Sequence, residues 1–174
     1  MRLLCLTAKT DRPAKASRRL IAVDPGTTES AYVEFILPQR RILRFGKVKN
    51  ELLLCNILDF KPDAVACERI RSYGMPVGQT TFDTVHLTGR LHQLCLTEEI
   101  PIKFLFRTDV KKAFAPLPRR NDRDIRAALL SIYGQQGTRK QPGPTYGITK
   151  DVWAALGVAH AYSCLVYATG TKIV

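Results

Sequence analysis

The stretch RRLIAVDPGTTES, residues 18–30, constrains this chain more than any other. Its apolar run from Leu20 to Val23 predicts a buried strand, and the run ends in Asp24 before a Pro-Gly-Thr-Thr turn. An acidic residue in this setting has two common roles. It begins a loop that cradles the phosphates of a nucleotide, or it is one corner of a metal site that acts on nucleic acid.

Length and charge favour the second role. A chain of 174 residues with 45% hydrophobic content fits one domain with a substantial core. ATPases of the sugar kinase and actin-like type share the D-x-G-T-T opening, but they close two such domains around a nucleotide, and we expect only one here. The formal net charge of +12 suits a polyanionic partner, although a basic solvated surface without function would give the same value.

The cysteines and histidines do not predict a zinc site. No C-x-x-C pair occurs among Cys5, Cys55, Cys67, Cys95 and Cys164. The histidines His86, His92 and His160 are not spaced with these cysteines as zinc ligands. We therefore expect reduced thiols in an intracellular, cytoplasmic protein. No apolar run reaches membrane-spanning length, so no membrane partner is expected.

The chain divides into an arm and a domain. Residues 1–18 are basic and contain Pro, Ala and Ser, which predicts a mobile arm; an arm that touches DNA and an organellar targeting peptide are alternatives. Residues 19–174 form the predicted domain.

Alternating apolar and turn-forming segments predict a mixed α/β fold. Strands are expected at 19–24, 30–37, 41–48, 63–68 and 102–106. Helices are expected at 51–60, at 81–97, from a Thr108 cap, within 121–133 and from about Thr149, with a flexible basic loop over 134–147. The helix at 121–133 carries an apolar stripe of Ile125, Ala128, Leu129 and Ile132. This order predicts a five-stranded mixed sheet, in the order 3-2-1-4-5, flanked by helices on both faces.

Three carboxylates converge in this arrangement. Asp24 and Glu68 end strands that the topology places side by side, and Asp151 opens the last helix. Alone, Asp24 could cap a turn and Asp151 could complement a helix dipole. Together, the three side chains would repel one another, and two Mg²⁺ ions would neutralise them and polarise a phosphate for hydrolysis.

Four stretches resemble the RuvC family of Holliday junction resolvases, in a compact phage-like form: IAVDPGTTESAYVEF, DAVACERIRSYG, TVHLTGRLHQL and KDVWAALGVAHAY. The resemblance covers residues 19–167. It implies an RNase H-like fold of the retroviral integrase superfamily and an endonuclease that makes paired nicks in four-way DNA junctions. It also implies a homodimer through the helix at 81–97. Its active site would hold two Mg²⁺ ions, replaceable by Mn²⁺, on Asp24, Glu68 and Asp151.

The chain departs from the family pattern at its last catalytic position. The family carries an Asp one helical turn after the position of Asp151, and this chain has Ala154 there. Either the enzyme is naturally degenerate, or a native aspartate was replaced so that the protein holds DNA without cutting it; we favour the second explanation. In both cases we expect weak metal binding and poor cleavage.

A second departure concerns the cation beside the scissile phosphate. The family tends to place a Lys where this chain has Asp122. Arg120, Arg123 or Lys112 could supply that positive charge instead. Arg and Lys are not equivalent in this role, because the Lys ammonium is a compact point charge.

Basic residues near the carboxylates are expected to hold DNA phosphates without reading sequence. They are Lys111, Lys112, Arg119, Arg120, Arg123, Arg126, Arg139, Lys140 and Lys150. The loop after Glu68 adds Arg69, Arg71, Tyr73 and Met75. Tyr73 is expected to stack on an unpaired base at the branch point, or else to anchor the loop on its own domain.

Two other functions fit the same residues. The chain could be a different RNase H-like nuclease that acts on RNA–DNA hybrids or flaps. It could also be a non-catalytic DNA-binding module that kept the fold and lost the chemistry.

Overall fold

The computed structural model describes residues 17–168 apart from positions 73, 75, 116 and 118–120. Ten elements follow one another along the chain: β1 (Arg18–Asp24), β2 (Glu29–Leu37), β3 (Arg41–Lys49), α1 (Asn50–Phe60), β4 (Ala64–Arg69), α2 (Gln79–Thr97), β5 (Ile102–Phe106), α3 (Arg107–Lys112), α4 (Asp122–Tyr133) and α5 (Lys150–Ala168). The predicted order of strands and helices is confirmed, with small shifts at the element ends. Most of the predicted arm lies outside the described residues.

The five strands form one mixed sheet in the order β3-β2-β1-β4-β5, as predicted. β1 pairs antiparallel with β2, which pairs antiparallel with β3. β1 also pairs parallel with β4, and β4 pairs parallel with β5. The carboxyl ends of β1, β4 and β5 therefore meet at one edge of the sheet.

Helices cover both faces of the sheet. Alternate side chains of β1 point to opposite faces, so Leu20 and Ala22 join the core with α3, α4 and α5, while Ile21 and Val23 pack with α1 and α2. Most of α5 is buried. At Gly157 an added Cβ would lie 3.5 Å from the Val110 side chain, so the small residue allows α3 to pack closely on α5.

The two long helices, α2 and α5, lie on opposite faces of the sheet, and α2 is much less buried than α5. In α2 one stripe is buried, formed by Thr84, Leu87, Leu91 and Cys95. A second apolar stripe of α2 faces outward: Phe82 is 57% exposed, Val85 49% and Leu96 59%. No described helix is apolar enough over sufficient length to cross a membrane.

Two local predictions differ from the structure. The helix α3 begins at Arg107, so Thr108 lies inside it, and the Asp109 carboxylate accepts a hydrogen bond from the Phe106 N–H instead (3.2 Å). In α4, Ile125 and Leu129 are buried, but Ile132 is 48% exposed because the packed face continues to the partly buried Tyr133.

The segment between α4 and α5 is held by internal hydrogen bonds rather than open. The Gly143 N–H donates to the Gln136 carbonyl (2.8 Å), and the Thr145 hydroxyl donates to the Gly134 carbonyl (2.9 Å). A Cβ at Gly143 would overlap the Gln135 carbonyl oxygen, so this position requires glycine.

Candidate active site

The strand register places Asp24 and Glu68 side by side. Val23 of β1 is paired with Cys67 of β4, so the next residue on each strand lies at the same sheet edge. Two residues earlier, Ala22 and Ala66 face the core beneath α5. Because side chains alternate along a strand, both carboxylates point to the α5 side of the sheet.

Asp151 reaches the same edge from the first turn of α5, where it meets Lys47 of β3. The Lys47 Nζ lies 2.8 Å from Asp151 Oδ2 and 3.9 Å from Glu29 Oε2. The register explains this position: Asp24 stands across from Ala31, and Ala31 stands across from Lys47. The ammonium therefore lies in the same row of the sheet as Asp24.

Arg107 supplies a second positive charge from the other side. It directly follows Phe106, which is paired with Arg69 at the end of β4. One guanidinium nitrogen, Nη1, lies 3.4 Å from Glu68 Oε2. The other, Nη2, is hydrogen-bonded to Asp122 Oδ1 at the start of α4.

Burial perturbs both carboxyl groups that line the sheet edge, and neighbouring carboxylates add to the effect at Asp24. The pKa of the Asp24 carboxyl is raised to about 7, first by burial and then by the negative charges of Glu68 and Asp151. Burial also raises the pKa of Glu68, against the opposing effect of Arg107. Positive charges on Arg107 and Lys47 lower the Asp24 pKa only in part. Asp24 is thus held where its charge is unfavourable unless a cation is close.

A small cleft of about 230 Å³ opens at this edge of the sheet. Its lining residues are Asp24, Pro25, Glu68, Arg69, Ile70, Arg71 and Arg107. Two carboxylates and three arginines thus line the same cleft, which is a combination that suits a phosphate diester held close to a cation.

A buried hydrogen-bond network fixes the turn after Asp24. Asn50 Nδ2 donates to the carbonyls of Gly26 (3.1 Å) and Thr27 (2.9 Å), and its Oδ1 accepts from the Ser30 hydroxyl (2.7 Å). Ser30 Oγ in turn accepts from the Gly26 N–H (3.1 Å). A Cβ at Gly26 would overlap the Glu29 carbonyl oxygen, so only glycine allows this turn. The network fixes the turn that directly follows Asp24.

The donor chemistry of this cluster suits Mg²⁺, which prefers carboxylate oxygens. Within the described residues, however, no three Asp, Glu, His or Cys side chains form a ready ligand group for a metal ion. Two of the three carboxylates instead contact basic side chains, Lys47 and Arg107. The residues therefore fit a divalent ion by chemical type, with Asp24, Glu68 and Asp151 as the groups that would hold it.

Position 154 lies one helical turn after Asp151 on α5, and Ala154 is partly exposed. A side chain at 154 would therefore extend from the same side of the helix as Asp151. The other departure, Asp122, is occupied by its contact with Arg107.

The arginines predicted on the loop after Glu68 line the cleft. The Arg69 guanidinium lies over the Phe104 ring and that of Arg71 over the Phe106 ring, each 5.6 Å from the ring centroid. Tyr73 and Met75, predicted beside them, lie outside the described residues.

The other predicted DNA-contacting residues are spread around the cleft. The positive charge of Lys111 acts on Glu68. Lys112 Nζ lies 3.1 Å from Asp109 Oδ1, and the Arg126 guanidinium lies 5.2 Å above the Trp153 ring. Four more are exposed: Arg123, Arg139, Lys140 and Lys150. Arg119 and Arg120 lie outside the described residues.

Sequence reasoning missed Lys47, Arg107 and Asn50. Lys47 and Arg107 contact the carboxylates directly, and Asn50 holds the turn. One signal was present for Arg107, since it directly follows a predicted strand at the carboxylate edge. Lys47 has no comparable signal, because its place depends on the register of β3.

The fold is similar to that of two known resolvases. The structure of Thermus thermophilus RuvC matches with a TM-score of 0.65 and 17% identity, over 88% of this chain and 97% of that one. The structure of T. thermophilus RuvC in complex with a Holliday junction substrate gives 0.65 and 16%, with the same coverage. The yeast mitochondrial Holliday junction resolvase gives 0.60 and 13%, over 84% of this chain and 79% of that one.

No protein-family model matches the chain, and no curated protein matches its sequence. The structural likeness is a likeness of fold. The chain has the RuvC-like, RNase H-like fold.

Proposed function

We propose that this protein is a Holliday junction resolvase: a divalent-cation-dependent endonuclease that nicks four-way DNA junctions in pairs. The observation that carries the proposal is that Asp24 and Glu68 line one cleft together with three arginines, and that the charge of Asp151 acts on Asp24 from the first turn of α5. The same fold in T. thermophilus RuvC, whose structure includes a complex with a Holliday junction substrate, supports branched DNA as the ligand.

Mg²⁺, or Mn²⁺ in its place, is the proposed cofactor. Two ions bound to Asp24, Glu68 and Asp151 would polarise a phosphodiester and supply an activated water. The protein contributes the positions of these groups: the strand ends fix Asp24 and Glu68, and the first turn of α5 fixes Asp151. With Ala154 in place of a fourth carboxylate, we propose that the chain as written binds DNA but cuts poorly.

The basic residues around the cleft hold the DNA backbone in this proposal. Arg69 and Arg71 line the cleft with Asp24 and Glu68, and their stacking on aromatic rings would orient the guanidinium groups for phosphate. Lys111, Arg123 and Lys150 extend the positive surface along α3, α4 and α5.

A second copy of the chain would bind along α2. The outward stripe of Phe82, Val85 and Leu96 is apolar, and the space outside Gly89 between them is open. Residues 82, 85, 89 and 96 follow the spacing of a helix-pairing seam. A dimer through this helix would bring two cleavage sites to one junction.

The test is Ala154→Asp. A carboxylate at position 154 adds an oxygen ligand and a negative charge beside Asp151, so nicking of a four-way junction in Mg²⁺ should rise by orders of magnitude. Ala154→Asn is the matched control, since it has the same shape without the charge and should cut no faster than the chain as written.

The rival functions give different results in the same experiment. A non-catalytic DNA-binding module would bind the junction but stay inactive after Ala154→Asp. A nuclease for hybrids or flaps would gain activity on those substrates and not on the junction. Full-speed cutting by the chain as written would show that position 154 needs no carboxylate.

A further inference from the structure

Two basic side chains at the carboxylate edge, Lys47 and Arg107, each bridge two acidic groups. Lys47 contacts Asp151 inside the site (2.8 Å) and Glu29 outside it (3.9 Å). Arg107 contacts Glu68 inside the site (3.4 Å) and Asp122 outside it. Around Arg107 the outer partner is far more solvated, since the side chain of Asp122 is 80% exposed and that of Glu68 only 16%. Around Lys47 the two partners are similar, with Glu29 49% exposed and Asp151 43%.

This arrangement explains why three carboxylates can lie together although they form no ready metal-ligand group. The two basic groups neutralise part of the negative charge, and Asp24 forms no ion pair of its own among the described residues. Lys47 contacts Asp151 Oδ2 and Arg107 contacts Glu68 Oε2, so we expect a divalent ion that takes these oxygens to displace both basic groups. Both already touch an alternative acidic partner, so neither needs to become isolated when it leaves.

We propose that Lys47 and Arg107 are internal counter-ions that a divalent cation displaces onto Glu29 and Asp122. The inference rests on the proposed metal-dependent function and adds a specific role for four residues outside the ligand set. Lys47 and Arg107 hold the place of the ion in its absence. Glu29 and Asp122 receive the displaced charges and make the exchange less costly.

The experiment measures binding of Mn²⁺ alone, without DNA, by calorimetry and by the shift of the thermal unfolding midpoint. Removing an inner competitor, by Lys47→Gln or Arg107→Gln, should tighten Mn²⁺ binding roughly fivefold, the equivalent of one partly exposed ion pair. Removing an outer acceptor, by Glu29→Gln or Asp122→Asn, should weaken it by a similar factor. Arg90→Gln is the matched control, because it removes an Arg–Glu ion pair from α2 (2.9 Å to Glu51) and should change nothing.

Long-range electrostatics alone would also tighten Mn²⁺ binding when a basic side chain is removed and weaken it when an acidic one is removed. Double variants distinguish this explanation from the proposed exchange. If Asp122 acts by receiving Arg107, then Asp122→Asn should have no effect on Mn²⁺ binding in the Arg107→Gln background. If Asp122 acts only through its charge, Asp122→Asn should weaken Mn²⁺ binding equally in both backgrounds, and the proposed exchange is then wrong. The same comparison applies to Glu29 in the Lys47→Gln background.

Asp24→Asn separates this inference from the proposed function. It should abolish the Mn²⁺ response, which places the ion at the cleft. If the response survives Asp24→Asn, the metal site of the proposed function is wrong. If Asp24→Asn abolishes the response but the Lys47 and Arg107 variants do not tighten binding, only the exchange is wrong.

Discussion

Two polar clusters lie on α5, and they handle buried polarity in opposite ways. The cluster at Asp151 in the first turn is charged: Asp151 contacts Lys47, and its charge acts on Asp24, which lines the cleft. The cluster at His160, further along the helix, is neutral and closed: the imidazole contacts the Tyr133 hydroxyl (2.9 Å) and Cys164 Sγ (3.5 Å), and it stacks on Phe114 with ring centroids 4.9 Å apart. One helix therefore carries a charged cluster at its first turn and a neutral cluster further along.

Burial acts on both clusters, with different consequences. At His160 burial is the first cause that lowers the pKa to about 4, so the ring is neutral at pH 7 and both nitrogens have partners. At Asp24 burial raises the pKa to about 7, and neighbouring carboxylates add to this effect. The His160 cluster stabilises the fold. The carboxylate cluster retains buried charge, and only a bound cation offsets the free-energy cost of that charge. Such a contrast is typical of a core on one side and a functional site on the other.

Asp24→Asn tests this comparison with the largest expected effect. In the Ala154→Asp chain it should abolish nicking, because the central carboxylate of the site is lost. Without metal, the same substitution should instead stabilise the fold. Since the folded-state pKa of Asp24 is raised from 3.8 to about 7, its stabilising contribution is present at low pH and lost as the pH rises to about 7.

At pH 8 in a chelator, Asp24→Asn should therefore raise the free energy of unfolding by about 2 kcal/mol, a value reduced for screening in the open cleft. Excess Mg²⁺ should stabilise the parent chain and shrink this difference. Urea unfolding with and without Mg²⁺ measures both effects. Loss of stability in the chelator would mean that Asp24 supports the fold and is not held there at a cost.

The His160 cluster should respond to pH in the opposite direction. Because the folded-state pKa of His160 is lowered from 6.5 to about 4, the unfolded chain binds its proton first as the pH falls. Stability should then decline between pH 6.5 and pH 4 by about 3 kcal/mol from this residue alone. His160→Phe keeps the stacking on Phe114 and should remove that part of the decline.

The measurement is the free energy of unfolding at several pH values for both chains. His86→Gln removes an exposed imidazole from α2 and serves as the control, with a pH profile like that of the parent. Parallel profiles for the parent and His160→Phe would show that the imidazole is accessible to protons in the folded state.

The two clusters also differ in what the sequence could predict. The sequence predicts strand ends at Asp24 and Glu68, because an apolar run stops at each of these acidic residues. It also predicts the sheet order from the alternation of strands and helices along the chain. Nothing so local marks His160, whose partners Tyr133 and Phe114 come from two other segments. Only the packing of α5 brings them together.

Lys47 shows most clearly where local patterns fail. The pairing of β2 with β3 shifts between Glu34 and Phe35, so one extra residue of β3 is accommodated there. Beyond the shift Ala31 is paired with Lys47, whereas the register nearer the turn would have paired it with Gly46. A shift of one residue moves a side chain to the other face of a sheet. The ammonium thus reaches Asp151 because of an irregularity that composition and periodicity do not reveal.

Tyr133→Phe should give the smallest of these effects and is the most specific probe of the neutral cluster. It removes one hydroxyl from the ring that packs at the edge of His160 and Phe35, and it leaves the packing itself in place. The buried His160 Nδ1 then loses its partner, which should lower the free energy of unfolding by about 1–2 kcal/mol at pH 7. Tyr146→Phe, at an exposed loop position, is the matched control and should change stability little.

Neither variant touches the carboxylate edge, so nicking by the Ala154→Asp chain should be retained. A loss of nicking with Tyr133→Phe at unchanged stability would show that the two ends of α5 are coupled, and the separation of a structural cluster from a functional one would then be wrong.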